Sequence, residues 1–299
     1  MKRRIRIGTR ESSLALVQSQ LVAGEILKKY PDWEMELVKF KTQGDRLLDG
    51  RLDDKGGKGL FVRELENALL DGKIDLAVHS MKDMPAELPE GLAIAAISRR
   101  EDPRDVLLSR DGRKLEELDT HAVIGTSSLR REALVRQMKP GAETRLLRGN
   151  VPTRIAKLES GEYDAIILAM AGLKRLGLED KCTQCFAVER FVPAAGQGAL
   201  AIEARAEDDA GYLLRSVHDP ETALAVAAER EYMKSLNGGC NTPLGAYAAI
   251  AGGKMTLYGF LAAEDLSKSF TEYVEGPAED ALLLGRKLAD TMKNRMAGR

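Results

Sequence analysis

Leu76-Ala77-Val78-His79-Ser80-Met81-Lys82-Asp83-Met84-Pro85 is an apolar run that breaks into small and charged residues. Its first half has the length and make-up of a buried strand. Pro85 biases Met84 away from helix, so the strand gives way to a turn. A strand that ends in Ser, Lys and Asp presents those groups at a sheet edge, where open α/β folds bind ligands. Taken alone, the decapeptide favours a plain surface turn whose Asp83 bonds nearby backbone N–H groups. The other anion-seeking loops of the chain shift that balance.

Upstream, Arg4 to Gly8 alternates as a short strand, and a helix follows from about Leu14 with Ser12 or Ser13 as its N-cap. Leu14, Val17 and Leu21 are the expected buried face of that helix. Trp33 to Leu37 alternates as a second strand, and Phe61 to Leu70 is an amphipathic helix. Between them, residues 41–59 carry Gly44, Gly50, Gly56, Gly57 and Gly59 among charged residues, the pattern of a mobile lid. Downstream, Leu92–Ile97 and Val106–Leu108 are strand candidates, with Asp102-Pro103 as a crossing point between lobes. Ile124-Gly125-Thr126-Ser127-Ser128 then echoes Ile7-Gly8-Thr9-Arg10-Glu11-Ser12: a strand, a Gly-Thr turn and a Ser-capped helix. Strands at Glu143–Leu147 and Asp164–Leu168 alternate with helices at Val151–Leu158 and from about Ala169. Ala199–Glu203 resumes as a strand able to return the chain to the first lobe. A helix from Pro220 to about Ser235, strands near Ala246–Ile250, Met255–Phe260 and Phe270–Val274, and a helix from about Ala278 complete the reading.

With 299 residues the chain can form two or three domains. A net charge of −1 and 5% aromatic residues argue against a long nucleic-acid footprint. No apolar run is long enough to span a bilayer, and Ile5-Arg6-Ile7 interrupts what would be a signal-peptide core. A cytoplasmic location is expected. The three cysteines cannot form a disulfide scaffold, and Cys182-Thr183-Gln184-Cys185 has no companion pair to complete a zinc site. That pair reads as incidental, with a redox role the lesser alternative.

Arg10, Arg130, Arg131, Arg148, Arg154 and Arg175 all fall at or near strand–helix junctions, where helix N-termini add positive potential. Any one of them reads as a surface charge. Six at equivalent junctions read as a site for a ligand with several carboxylates. Cys240, in Leu236-Asn237-Gly238-Gly239-Cys240-Asn241-Thr242-Pro243, is left open by its residues alone, between a half-buried loop cysteine and an attachment point or nucleophile.

Several stretches together resemble the hydroxymethylbilane synthase, or porphobilinogen deaminase, family. They are residues 7–15, 56–66, 79–85, 125–131, 147–154, 193–200 and 236–246, in family order over nearly the whole chain. The resemblance implies two periplasmic-binding-protein-like α/β lobes with mixed sheets around a cleft, plus a small α+β C-terminal domain with a three-stranded sheet. The expected division is residues 1–98 with 198–217, carrying the lid and Asp83; 103–193, carrying most of the arginines; and 220–299, carrying Cys240. The implied activity is that of a transferase. It condenses four porphobilinogens on a dipyrromethane primer bound by thioether to Cys240, with loss of ammonia, then releases the linear tetrapyrrole by hydrolysis. Asp83 is the implied catalytic residue, stabilising positive charge on each pyrrole in turn. Lys82, Asp83, Ser127, Ser128, Arg130 and Arg131 are the implied cofactor binders. Arg10, Ser12, Lys58, Phe61, Arg148, Arg154, Arg175 and Gln197 are the implied substrate binders. No metal, nucleic acid or membrane partner is expected; the chain is expected to be monomeric and to pass its product to the next tetrapyrrole-pathway enzyme. Two rivals remain from the residues themselves: a two-lobed binding protein without chemistry, and a polyphosphate or nucleic-acid binder prompted by Arg99-Arg100 and Arg130-Arg131.

Overall fold

The computed structural model describes residues 4–42, 62–208, 211–238 and 242–298. In chain order the first strands are β1 (Arg4–Arg10), β2 (Glu34–Phe40), β3 (Leu76–Ser80), β4 (Leu92–Ile97) and β5 (Asp105–Ser109). Next come β6 (Val123–Gly125), β7 (Glu143–Arg145), β8 (Ala165–Ala169) and β9 (Gln184–Cys185). The last are β10 (Leu200–Arg205), β11 (Leu244–Ala251), β12 (Lys254–Ala262) and β13 (Ser269–Pro277). The helices are α1 (Ser13–Lys29), α2 (Arg63–Leu70), α3 (Leu129–Met138) and α4 (Val151–Glu159). They continue with α5 (Met170–Leu176), α6 (Gly211–Leu214), α7 (Pro220–Ser235) and α8 (Ala281–Met296). None of the described helices is long and apolar enough to cross a membrane.

The chain forms two compact units, Met1–Glu101 with Ala199–Ala223, and Asp102–Gly198 with Leu224–Arg299. The first holds a five-stranded mixed sheet in the order β2-β1-β3-β10-β4. β1 runs parallel to β2 and β3, while β10 is antiparallel to both its neighbours. The second unit repeats that plan as β7-β6-β8-β5-β9, with β5 the antiparallel strand, and adds the antiparallel sheet β11-β12-β13. β10 is therefore the returning strand expected from Ala199–Glu203. β9 is too short to leave a signature in sequence; its pairing with β5 is what makes it a strand.

Apolar residues set these elements in place. Ile7, Ile26, Leu76 and Ile202 lie in one core of the first sheet, and Leu65, Leu69 and Ile74 in the core on its other face. Each such side chain contributes about 1.5–3 kcal/mol by leaving water. One expectation fails. The buried stripe of α1 is Ala15, Gln18, Ser19, Val22, Ala23 and Ile26, whereas Leu21 is 49% exposed and Leu14 and Val17 are only partly covered. Large apolar residues suggested the face, but the small ones let the helix lie close to the sheet. The Gly-Thr echo has a shared steric cause. A Cβ on Gly8 would sit 2.4 Å from Ile74 Cδ1, and one on Gly125 would sit 2.8 Å from Tyr163 Cδ1.

Candidate active site

In the first unit β1 and β3 are parallel neighbours, with Gly8 beside Ala77. Arg10 at the end of β1 and the turn after β3 therefore share the carboxyl edge of one sheet. Ser12 opens α1 at that edge, its Oγ accepting the Ala15 N–H at 3.3 Å. Residues Met81–Asp83 form a single 3₁₀ turn, closed by the Met84 N–H donating to Met81 O at 3.2 Å. The turn is fixed from behind. Met81 N–H donates to Ala199 O at 3.0 Å, and Gln18 Nε2 donates to Ser80 Oγ at 3.0 Å. Lys82 and Asp83 are partly exposed beyond these anchors. Lys58, Phe61 and most of the expected lid lie outside the described residues.

The equivalent edge of the second unit is built on arginine. Ser128 caps α3, its Oγ accepting the Arg131 N–H at 3.4 Å, and its own N–H donates to Thr126 Oγ1 at 3.2 Å. Ser127, between them, is partly exposed. Arg130 and Arg131 turn inward from the first turn of α3 and meet on Asp105, the fully buried first residue of β5. Arg130 Nη1 donates to Asp105 Oδ2 at 2.7 Å and to Val192 O at 2.7 Å. Arg131 donates through Nε and Nη2 to Asp105 Oδ1 at 3.1 and 2.7 Å, and through Nη1 to Ile167 O at 2.9 Å. Gln197 Nε2 completes the cluster, donating to Asp105 Oδ1 at 3.0 Å and Pro103 O at 2.7 Å. Burial alone would raise the Asp105 carboxyl; the two guanidiniums outweigh it and hold it well below the usual carboxylate range. Burial, with Arg131 alongside, lowers the Arg130 pKa.

Two cations on one carboxylate leave this trio with a surplus positive charge where water does not reach. Uncompensated buried charge is costly, and a carboxylate from a ligand is the group that offsets it. The cluster thus fits a cofactor bearing acetate and propionate groups. Arg148 follows the buried Leu147, and Arg154 Nε donates to Gly149 O at 2.7 Å beside the Asn150 cap of α4. Arg175, in the last turn of α5, donates through Nη2 to Gly198 O at 2.6 Å.

Asp105 escaped the sequence reading, which took Asp102-Pro103 only as a crossing point. An acid opening an apolar strand was the available signal. Glu229 was missed too: it is buried and accepts the Gly196 and Ala248 N–H groups at 2.6 and 2.8 Å. Nothing local to α7 marks it. Cys240 lies outside the described residues. The strand that follows it does not: a Cβ on Gly245 would sit 2.7 Å from both Val192 O and Pro193 O and 3.0 Å from Arg130 Cδ. The chain leaving the Cys240 loop therefore runs directly against the arginine cluster. Cys182 and Cys185 are partly exposed with sulfurs 3.6 Å apart, and burial with the Cys185 contact pushes the Cys182 thiol up to about 12. Among the described residues no His, Cys, Asp and Glu group is arranged to hold a metal.

The model of the porphobilinogen deaminase, dipyromethane cofactor binding domain, matches residues 5–212. The porphobilinogen deaminase C-terminal domain model matches residues 223–294. The chain belongs to the porphobilinogen deaminase family. Curated porphobilinogen deaminases resemble it closely over most of their length. That of Alkaliphilus metalliredigens is 47% identical over 97% of this chain and 92% of its own. That of Chromobacterium violaceum is 50% identical over 96% and 93%, and that of Geobacter sulfurreducens 48% over 97% and 91%. Among solved structures, the methionine-binding protein MetQ aligns with a TM-score of 0.44 and 13% identity, over 78% of this chain and 94% of that one. The family's cofactor-binding domain thus spans both strand edges described above.

Proposed function

We infer that this chain is a hydroxymethylbilane synthase, joining four porphobilinogens head to tail with loss of ammonia and releasing the linear tetrapyrrole. The observation that carries the reading is the surplus positive charge of the Arg130–Asp105–Arg131 cluster, inside the stretch that matches the family's cofactor-binding domain. The dipyrromethane, when bound, supplies the primer to which new rings are added. Cys240 holds it through a thioether, and Arg130, Arg131, Ser127, Ser128 and Lys82 bind its carboxylates. Arg10, Ser12, Lys58, Phe61, Arg148, Arg154, Arg175 and Gln197 hold the incoming rings. Asp83 sets a carboxylate against each pyrrole N–H as ammonia leaves, where a fixed negative charge stabilises the developing cation. Three domains divide this work: residues 1–98 with 198–217 carry Asp83, 103–193 most of the arginines, and 220–299 Cys240. The enzyme acts as a cytoplasmic monomer that hands its product to the next enzyme of tetrapyrrole synthesis.

The test is the intact mass of the purified protein beside a porphobilinogen-consumption assay. The expected result is a dipyrromethane adduct that Cys240→Ser abolishes together with activity, while Cys182→Ser and Cys185→Ser keep both. A protein of bare sequence mass that consumes no porphobilinogen overturns the reading in favour of a binding protein without chemistry.

A further inference from the structure

Behind the Asp83 turn lies a second set of buried ionisable groups. His79 Nε2 meets Glu203 Oε2 at 3.0 Å, the two residues being 5% and 0% exposed. Glu203 stands opposite Ala77 in the β10–β3 ladder, and Ala77 packs with Leu65 and Leu69 of α2. Glu203, Ala77 and His79 therefore share the α2 face of the sheet. Glu66 of α2 is 6% exposed, and its carboxyl feels the charges of both Glu203 and His79. The Oε1 atoms of Glu66 and Glu203 are both buried without a hydrogen-bond partner among the described residues. Arg63 of the same helix also acts on Glu66, while Arg205 of β10 turns to Leu69 O, Ile74 O and Asp75.

A buried polar contact of this kind is weak evidence for stability, so its position is the informative feature. His79 is tied on the α2 face, and the next residue, Ser80, is tied by Gln18 on the α1 face. Side chains thus grip two successive residues from opposite sides of the sheet, immediately before the turn that carries Lys82 and Asp83. Burial, helped by the nearby Glu203 charge, raises the Glu66 carboxyl toward its neutral form.

We propose that His79 and Glu203 are positioning residues, a buried hydrogen-bonded pair that fixes the end of β3 and with it the aim of Asp83. The inference rests on the reading of Asp83 as the acid of the condensation, and amide exchange tests it apart from that reading. Glu203→Gln removes the carboxylate that holds His79, whereas Glu66→Gln leaves the His79–Glu203 contact in place. In Glu203→Gln the Met81 and Met84 amides, both hydrogen-bonded in the turn, should exchange on the order of tenfold faster or more. Its kcat should fall by on the order of tenfold to 100-fold, with KM for porphobilinogen within about twofold. Glu66→Gln should stay within about twofold of wild type in exchange and kcat. Glu203→Asp keeps the charge but withdraws it by one methylene; it should move both readouts the same way by less, and it serves if Glu203→Gln does not fold. A lower Tm with unchanged Met81 and Met84 exchange in the Glu203 variants overturns the proposal, and so does a Glu66→Gln protein that behaves like Glu203→Gln. Wild-type protein that consumes no porphobilinogen defeats the functional reading instead, and the exchange comparison still decides this one.

Discussion

The two five-stranded sheets share strand order and direction, yet they bury different ionisable groups. Each has a strand with a Gly-Thr pair at or beside its end, followed by a Ser-capped helix. Even the buried threonines differ in use: Thr9 Oγ1 donates to Ala15 O at 3.0 Å, while Thr126 Oγ1 accepts the Ser128 N–H. Beneath the strand ends the contrast is sharper. The first unit buries two carboxyls around one histidine and presents Asp83; the second buries two arginines around one carboxylate. A common scaffold thus presents an acid in one unit and a cationic cluster in the other; the proposed function sets the first against a developing cation and the second against carboxylates. Topology places the strand ends, and a few buried side chains decide what they bind.

The largest expected effect comes from making the second interior wholly cationic. Asp105→Asn leaves two buried guanidiniums without their anion, a change worth about 3–5 kcal/mol of stability. Urea unfolding should show it, and wild-type stability in this variant would mean the cluster is not the charge-balanced unit described. Next is the first unit's acid. Asp83→Asn should cost on the order of 100- to 1,000-fold in kcat, with Asp83→Glu retaining more. Equal activity in the Asn and wild-type proteins would remove Asp83 from the chemistry.

The arginines sharpen the comparison further, because they come from separate strand ends. Each lost charge-assisted contact is worth roughly 1.5–3 kcal/mol, or about 10- to 200-fold in binding. Arg→Leu variants of Arg10, Arg130, Arg131, Arg148, Arg154 and Arg175, given limiting porphobilinogen, should stall at different adduct lengths in native mass spectra. Uniform weakening, with the same intermediate in all six, would point to one fixed pocket.

The smallest effect is the pH response, which should carry opposite signs in the two units. Asp105 has a depressed pKa, so its contribution is present above the unfolded value near ~4 and is lost as pH falls below it. Glu66 has a raised pKa, so its contribution is present below the unfolded value near ~4.3 and is lost as pH rises through the folded one. Glu66→Gln should therefore flatten the fall in stability that begins above a pH of about 4.3, without changing the loss below about 4. An unchanged slope above about 4.3 would show that folding does not raise the Glu66 carboxyl.

Much of this architecture is written locally. Alternation marked β1 and β2, apolar runs marked β3, β4 and β8, Ser12 or Ser13 marked the start of α1, and a Gly-Thr turn tied β6 to β1. The family motifs carried the activity. The exposed Leu21 shows the limit of such reading, since hydrophobicity names candidates for a buried face without saying how close a helix will lie to its sheet. Charge partners lay further out of reach. His79 and Glu203 are 124 residues apart in sequence, and Arg130 reaches Asp105 across 25. Periodicity, caps and turns depend on neighbours along the chain, so the sequence by itself determined most of the elements and their order, β9 excepted. Which buried charges meet depends on strands brought together across the sheet, and that was decided only when the tertiary structure closed around them.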